Sequence, residues 1–356
     1  MHYLSLPSVT FIIWNAKPGG MEKVIKIEVK ELQDYYAFRI FSLRPTYPQR
    51  NFFKNLNITV KYGSRNNIFM LIKLIFFILK IDKNEVFHLC NTGPYILLLM
   101  RLCCKNNIIY HIHGTIYWKN GTQKILRKPI WLLGLSKKVK IIANSYTSKN
   151  IFRNSIKRNC IIDVVYNPIL LPSFNTLKNN KKKHMKICYV GRLSPEKNLF
   201  LWLDIAKYIL KNYENTTFHL YGEGLLDSDL KEYAKSLNIE ANVFFKGYVE
   251  YIEAAYQEND LLLFLSKHES FGNVVVESIL SGTPVIATSI PVMKEIFENY
   301  TEFLIDPNKD LFDQVINKIE KINELKCLAV KAKKEFKNRF SVGKHIKEIR
   351  SIYERF

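Results

Sequence analysis

The chain has 356 residues, 47% hydrophobic and 24% charged, with only 14 glycines and 12 prolines, which excludes a disordered, collagen-like or low-complexity protein and suits two domains. Lys and Arg number 53 against 32 Asp and Glu, a net charge of +21 that points to an anionic partner: nucleic acid, an acidic membrane surface or a phosphorylated substrate. Short apolar runs alternate with helical patterns from the start. Val9–Trp14 reads as a strand, followed by a Pro-Gly-Gly turn and a helix reaching Asp34; Tyr36–Phe41 and Ile58–Tyr62 read as further strands. Ile68–Lys80 is an apolar helix, Val86–Leu89 a buried strand, Pro94–Cys104 a helix, and Asn107–Ile112 and Lys140–Asn144 strands. Thr147–Ile156 is helical and Ile161–Tyr166 closes the first half as a strand.

Residues 167–184, with two prolines and a Lys/Asn run, read as a linker. Beyond it the alternation restarts: strands at Lys186–Val190, Thr217–Tyr221, Val243–Lys246, Leu261–Leu265, Pro284–Ala287 and Phe303–Ile305, with helices at Leu199–Lys211, Ser228–Leu237, Asn273–Leu280 and on to the C-terminus. Such alternation predicts doubly wound α/β sheets with helices on both faces. The division is an N-terminal Rossmann-like domain over 1–168, a linker over 169–185 and a second Rossmann-like domain over 186–340, with the ligand site expected in the cleft between them.

The charge is uneven. Residues 1–168 carry 26 basic and 7 acidic side chains, net +19, whereas residues 169–356 carry 27 and 25, net +2. Between Glu85 and Asp163 there are 13 basic residues and no acidic one. The densest cluster is Lys124, Arg127, Lys128, Lys137, Lys138 and Lys140, interleaved with Trp118, Ile130, Trp131, Leu132 and Leu133. Basic side chains among aromatic and aliphatic ones suit docking to anionic lipid, against the plainer reading of a solvated basic face. The most apolar stretch, Ile68–Ile81, is interrupted by Lys73 and Lys80 and is shorter than the ~20 residues of a spanning helix. No secretory signal is evident, so the expected location is cytoplasmic. The six cysteines form no CxxC pair and read as free thiols, with Cys103 and Cys104 in the core.

Gly191 and Arg192 fall at the carboxyl end of the first strand of the second domain, where open α/β sheets bind ligands, and Lys197 opens the next helix. An Arg and a Lys converging there suit a diphosphate, the guanidinium forking two oxygens and the ammonium acting as a point charge. A cation at a helix start is mildly unfavourable, which implies an anion beside it. Gly222 and Gly224 follow the next strand and would permit close backbone approach to a ligand, but Asp227 stands where a dinucleotide fingerprint needs a third glycine. The segment HESFGNVVVE places Glu269 in a loop and Glu277 on the following helix. Eight residues of helix turn through roughly 800°, setting the two carboxylates about 80° apart and two turns distant. The amides of Gly272, Asn273 and Val274 open that helix and can accept phosphate.

GRLSPEK, YGEG, HESFGNVVVE and SGTPVIAT, in that order and spacing, resemble the group 1 (family 4) retaining glycosyltransferases of the GT-B fold over residues 186–310. PGGMEKV at 18–24, HIHG at 111–114 and ANSYTSK at 143–149 resemble the N-domain signatures of that family. The resemblance implies two Rossmann-like domains facing a central cleft, with the tail at 341–356 crossing back to the N-domain, which would bind the acceptor. It implies that Arg192 and Lys197 hold the nucleotide diphosphate, Glu269 lies near the donor sugar, and Gly272 and Asn273 give backbone contacts. Glu277 would accept from the ribose hydroxyls, His113 would contact the donor sugar, and Gly19 and Gly20 would admit phosphate and acceptor. The sequence departs from the family pattern at Ser270, at Leu265-Ser266 and at Asn198, which bears on donor choice.

A zinc site at His111 and His113 lacks a third ligand at metal spacing, so no metal and no cofactor is expected. The expected partners are a nucleotide-sugar donor, a lipid-linked glycan acceptor of O-antigen or capsule synthesis, and the anionic inner face of the cytoplasmic membrane. Two alternatives remain at this level. One is a nucleotide-sugar epimerase of the same fold. The other is a basic nucleic-acid-binding protein, although the chain has no zinc finger, ribonucleoprotein motif or helix-turn-helix pattern.

Overall fold

Two parallel sheets, each built from alternating strands and helices, carry the fold of this computed structural model. The structure describes residues 6–46, 51–114, 121–136, 138–170, 184–249 and 252–356, with only the backbone at 121–125. Most of the expected linker, including 171–183, lies outside these residues.

The chain divides into two units, Met1–Pro168 with Val342–Phe356, and Ile169–Ser341. The first contains β1 (Ser8–Ile13), α1 (Gly20–Leu32), β2 (Ala37–Ser42), β3 (Thr59–Tyr62), α2 (Asn67–Leu79), β4 (Val86–Cys90), α3 (Pro94–Cys103), β5 (Ile108–Ile112), α4 (Gly121–Gly134), β6 (Val139–Ala143), α5 (Tyr146–Ile156) and β7 (Ile162–Val164). The strand order is β3-β2-β1-β4-β5-β6-β7, all parallel. Parallel strands covered on both faces need apolar side chains on both, which is why β4 and β5 are buried at every residue. One face packs against α2, α3, α4 and α5 through Leu74, Leu97, Trp131 and Phe152. The other packs against α1 through Ile25 and Val29.

The sequence reading leaves 121–134 without an element. The structure forms α4 there, with Pro129 inside it. An interior proline removes a helical hydrogen bond, so periodicity alone argues against a helix at this point. Trp131, expected to face lipid, is instead 3% exposed and meets Tyr110 and Phe152 edge-on at 5.0 and 5.1 Å. Burying such a ring is worth roughly 2–3 kcal/mol and fixes α4 to the sheet. Cys103 and Cys104 are half-buried rather than core residues, and the Cys104 thiol donates to the Met100 carbonyl at 2.9 Å.

The second unit contains β8 (Lys186–Val190), α6 (Leu199–Leu210), β9 (Thr217–Tyr221), α7 (Asp227–Ser236), β10 (Val243–Gly247), α8 (Ile252–Glu258), β11 (Leu261–Phe264), α9 (Asn273–Leu280), β12 (Val285–Thr288), α10 (Pro291–Ile296), β13 (Leu304–Ile305), α11 (Leu311–Glu320) and α12 (Ile322–Arg339). Its order is β10-β9-β8-β11-β12-β13, also parallel throughout. The last helix, α13 (Val342–Tyr353), belongs to the first unit, where Ile349, Ile352 and Tyr353 join the core beside α1. Strand order reverses between β8 and β11 in the second sheet and between β1 and β4 in the first. The loops leaving adjacent strands diverge at such a reversal and open a crevice at their carboxyl ends.

Candidate active site

The reversal in the second unit lies between the loops that carry Arg192 and Lys197, after β8, and Glu269, after β11. Lys197 does not open a helix. It ends a 3-10 turn over Pro195–Lys197, and Asn198, at φ 58°, switches the chain into α6. The anion implied beside this cation is one of the chain's own: Lys197 Nζ makes an ion pair with Glu269 Oε1 across the crevice. Both side chains are largely shielded, at 16% and 14% exposure, which strengthens the pairing over that of a surface pair. Arg192 is exposed, and its carbonyl accepts from the Tyr189 hydroxyl at 2.8 Å, which fixes the backbone from which the guanidinium projects.

Glu269 precedes α9 by four residues, so the helical rotation expected between it and Glu277 does not apply. Glu277 lies within α9, half-buried, and accepts from the Tyr256 hydroxyl at 2.9 Å. Burial first, and the Glu277 carboxylate second, push the Tyr256 phenol well above its ordinary pKa, so it remains a donor at every physiological pH. Sequence reasoning missed Tyr256, because α8 is short and a tyrosine 21 residues upstream carries no spacing signal. Gly272 caps α9 at φ 91°, and a Cβ there would lie 2.6 Å from Met293 Cε. Asn273 and Val274 form the first turn of α9, whose amide dipoles add positive potential beside the crevice. Phe271, 1% exposed and edge-on to Phe340 at 5.5 Å, anchors the loop between Glu269 and α9.

The glycines after β8 and β9 also let neighbouring loops pack against each other. A Cβ on Gly222 would lie 1.8 Å from the Gly191 carbonyl oxygen, and one on Gly224 2.0 Å from that of Leu193. Neighbouring loops thus approach closely, locked by Gly191 N–H to Tyr221 O at 2.9 Å and Leu193 N–H to Glu223 O at 3.0 Å. Gly222→Ala should cost about 3 kcal/mol or more, from overpacking added to a φ of 141°. Thermal denaturation should move down by on the order of 10 °C. An unchanged midpoint would show that the Gly191 loop yields freely.

In the first unit, Gly19 precedes α1 with extended backbone, and the Glu22 carboxylate folds back beside it, 2.3 Å from where a Cβ would stand. A carboxylate thus lies beside the Gly19 backbone, at the turn expected to admit phosphate and acceptor. His113 follows β5, with its ring centroid 3.8 Å from that of His111. His111 Nδ1 is 3.1 Å from His88 Nε2, and His88 Nδ1 is 2.8 Å from the Tyr353 hydroxyl on α13. Two arrangements of neutral tautomers satisfy both bonds, related by reversing every donor. Burial drives the imidazoles of His88 and His111 well below the usual histidine range, and pulls that of His113 to about 3, with neighbouring histidines adding to the effect. Neither His88 nor Tyr353 carried a sequence signal; the one looks like any strand residue and the other lies 265 positions away.

Residues 174–339 match the family described as glycosyl transferases group 1. Among curated relatives, the chain is 27% identical over 146 residues to a poly(ribitol-phosphate) alpha-N-acetylglucosaminyltransferase of Staphylococcus aureus, covering 39% of this chain and 30% of that protein. It is 25% identical over 305 residues to the UDP-Gal:alpha-D-GlcNAc-diphosphoundecaprenol alpha-1,3-galactosyltransferase of Escherichia coli, covering 78% of this chain and 76% of the relative. HepE of Anabaena, solved in complex with UDP-glucose, superposes with a TM-score of 0.82 at 20% identity, over 98% of this chain and 100% of its own. Residues 174–339 therefore carry a glycosyl transferases group 1 domain, and the pair of Rossmann-like units has the GT-B fold.

Proposed function

We propose that the chain transfers a sugar, with retention of anomeric configuration, from a nucleoside-diphosphate donor to a lipid-linked glycan of a bacterial surface polysaccharide such as O-antigen or capsule. The observation that carries the reading is the facing pair of Lys197 and Glu269 at the strand reversal of the second unit. Donor diphosphate would displace Glu269 from Lys197, leaving the carboxylate to face the sugar while Lys197 and Arg192 hold the phosphates. Charge separates between an oxocarbenium-like anomeric carbon and the departing phosphate, and preorganised cations and the first-turn amides of α9, at Asn273 and Val274, stabilise it. With two cations serving the diphosphate, the reaction needs no divalent ion. Glu277, oriented by Tyr256, would take the ribose hydroxyls, and His113, held neutral, would offer the sugar an uncharged polar contact. The acceptor class rests on the lipid-diphosphate substrate named for the E. coli relative. A peripheral position at the inner membrane face rests on the +19 charge of residues 1–168, with no helix among the described residues long and apolar enough to cross a bilayer.

Thermal-shift titration with UDP-, GDP- and dTDP-sugars should identify one stabilising donor class. Glu277→Ala should weaken that binding by roughly 1.5–3 kcal/mol, the value of a charged hydrogen bond. Turnover should persist in excess EDTA, and NMR of the product should give the donor's anomeric configuration. An inverted product or metal-reversible loss of activity would refute the mechanism.

A further inference from the structure

Helix α2 reads NIFMLIKLIFFIL, yet it buries only one side. Met70, Leu74, Phe77 and Ile78 face the sheet, whereas Ile68, Phe69, Ile72, Phe76 and Leu79 are between 41% and 68% exposed. At about 100° per residue the exposed set falls within a ~100° sector opposite the buried one. Lys73 and Lys80, both exposed, border that sector on one flank. Soluble surfaces seldom leave five large apolar side chains contiguous, so the stripe has an occupant.

Charge identifies it. From Tyr35 to Ile81 and from Val86 to Ile162 the chain holds no acidic residue, so α2, α3, α4 and α5, which share one face of the sheet, are free of carboxylates. Beside α2 lies a groove of about 970 Å³ lined by Arg39, Lys61, Lys73, Lys80 and Phe76, with Asp82 and Glu85. Glu85 is taken up by Arg39 and Thr10, and the three lysines outnumber the remaining carboxylate. Apolar side chains flanked by a cationic groove match acyl chains beneath anionic headgroups. With 13 residues, α2 is about 20 Å long, too short to span the hydrocarbon core and suited to lie in its surface.

We propose that α2 and the groove beside it form the surface by which the first unit docks on an anionic bilayer, with Phe69, Ile72 and Phe76 entering the acyl boundary and Lys61, Lys73 and Lys80 meeting lipid phosphates. The inference rests on the membrane-peripheral part of the proposed function and moves the contact away from the cluster expected around α4. In that cluster Trp131 is core and Lys140 Nζ lies 3.6 Å over the Phe356 ring; Lys137 and Trp118 fall outside the described residues, as does the Lys124 side chain.

Co-sedimentation of the full chain with vesicles of equal phosphatidylglycerol and phosphatidylcholine, against phosphatidylcholine alone, tests it. Wild type should pellet with the anionic vesicles only. Phe69→Ser with Phe76→Ser, and separately Lys61→Glu with Lys73→Glu and Lys80→Glu, should each lower the bound fraction at least tenfold, whereas Lys128→Glu with Lys138→Glu should change it less than twofold. Unaltered donor thermal shifts would confirm that the variants are folded. Loss only in the Lys128/Lys138 variant would overturn the α2 surface and leave the peripheral reading standing. A wild type that ignores anionic vesicles would overturn both, while turnover on a soluble acceptor would still be measurable. An α2 variant that converts a dimer to a monomer, with no vesicle binding by wild type, would make the stripe a contact between copies and refute the proposal.

Discussion

Replacing Lys197 or Arg192 by alanine should lower turnover by on the order of 10²-fold or more, equivalent to about 2.7 kcal/mol of transition-state stabilisation. Both side chains belong to loops at the strand reversal, and the diphosphate they oppose, already anionic in the bound donor, gains a further negative charge as the glycosidic bond to phosphate breaks. The loss should therefore fall on kcat more than on KM. Lys197→Ala also leaves Glu269, 14% exposed, without its cation, so part of its effect belongs to a stranded carboxylate. Combining Lys197→Ala with Glu269→Gln separates the two contributions. If the double variant turns over as fast as Glu269→Gln alone, Lys197 only neutralises Glu269 and the phosphate role is wrong. If it remains at least tenfold below Glu269→Gln alone, the ammonium acts on the leaving group.

Acid should unfold the first unit early. Three imidazoles, His88, His111 and His113, are held below the ordinary histidine pKa by burial, and two of them lie in a hydrogen-bonded array ending at Tyr353. A histidine with a lowered folded pKa binds its proton in the unfolded chain first. Its contribution to stability is intact above pH ~6.5 and is lost progressively as pH falls below that value toward the folded pKa. By pH ~5.5 the three together should withdraw a few kcal/mol, a large share of the stability of an ordinary domain. Denaturant unfolding at pH 7.5, 6.5 and 5.5 should show this decline well above the titration range of carboxylates. A flat profile across that interval would mean that the array hydrates or opens before it protonates.

Much of the architecture was determined by the sequence alone. The two sheets follow from apolar runs too regular in spacing to be anything but alternating strands and helices, and parallel strands covered on both faces must be apolar throughout. The placement of Arg192, Lys197, Glu269 and Glu277 was legible because ligand loops in such sheets leave the carboxyl ends of strands, and that end follows from where each run stops. Short-range chemistry likewise gave α9 its glycine cap at Gly272. Tertiary structure decided what sequence spacing does not encode. The Lys197–Glu269 pair joins residues 72 positions apart, and the His88–Tyr353 contact joins residues 265 apart; both exist only because parallel strands bring distant loops and helices to one edge. The purpose of Gly222 depended on its neighbour across the sheet, since a φ available to glycine says nothing about what approaches it. The two faces of α2 were indistinguishable in a sequence apolar all round. Only packing against β-strands chose which side to bury, and in doing so it left Ile68, Phe69 and Phe76 facing out beside Lys73 and Lys80.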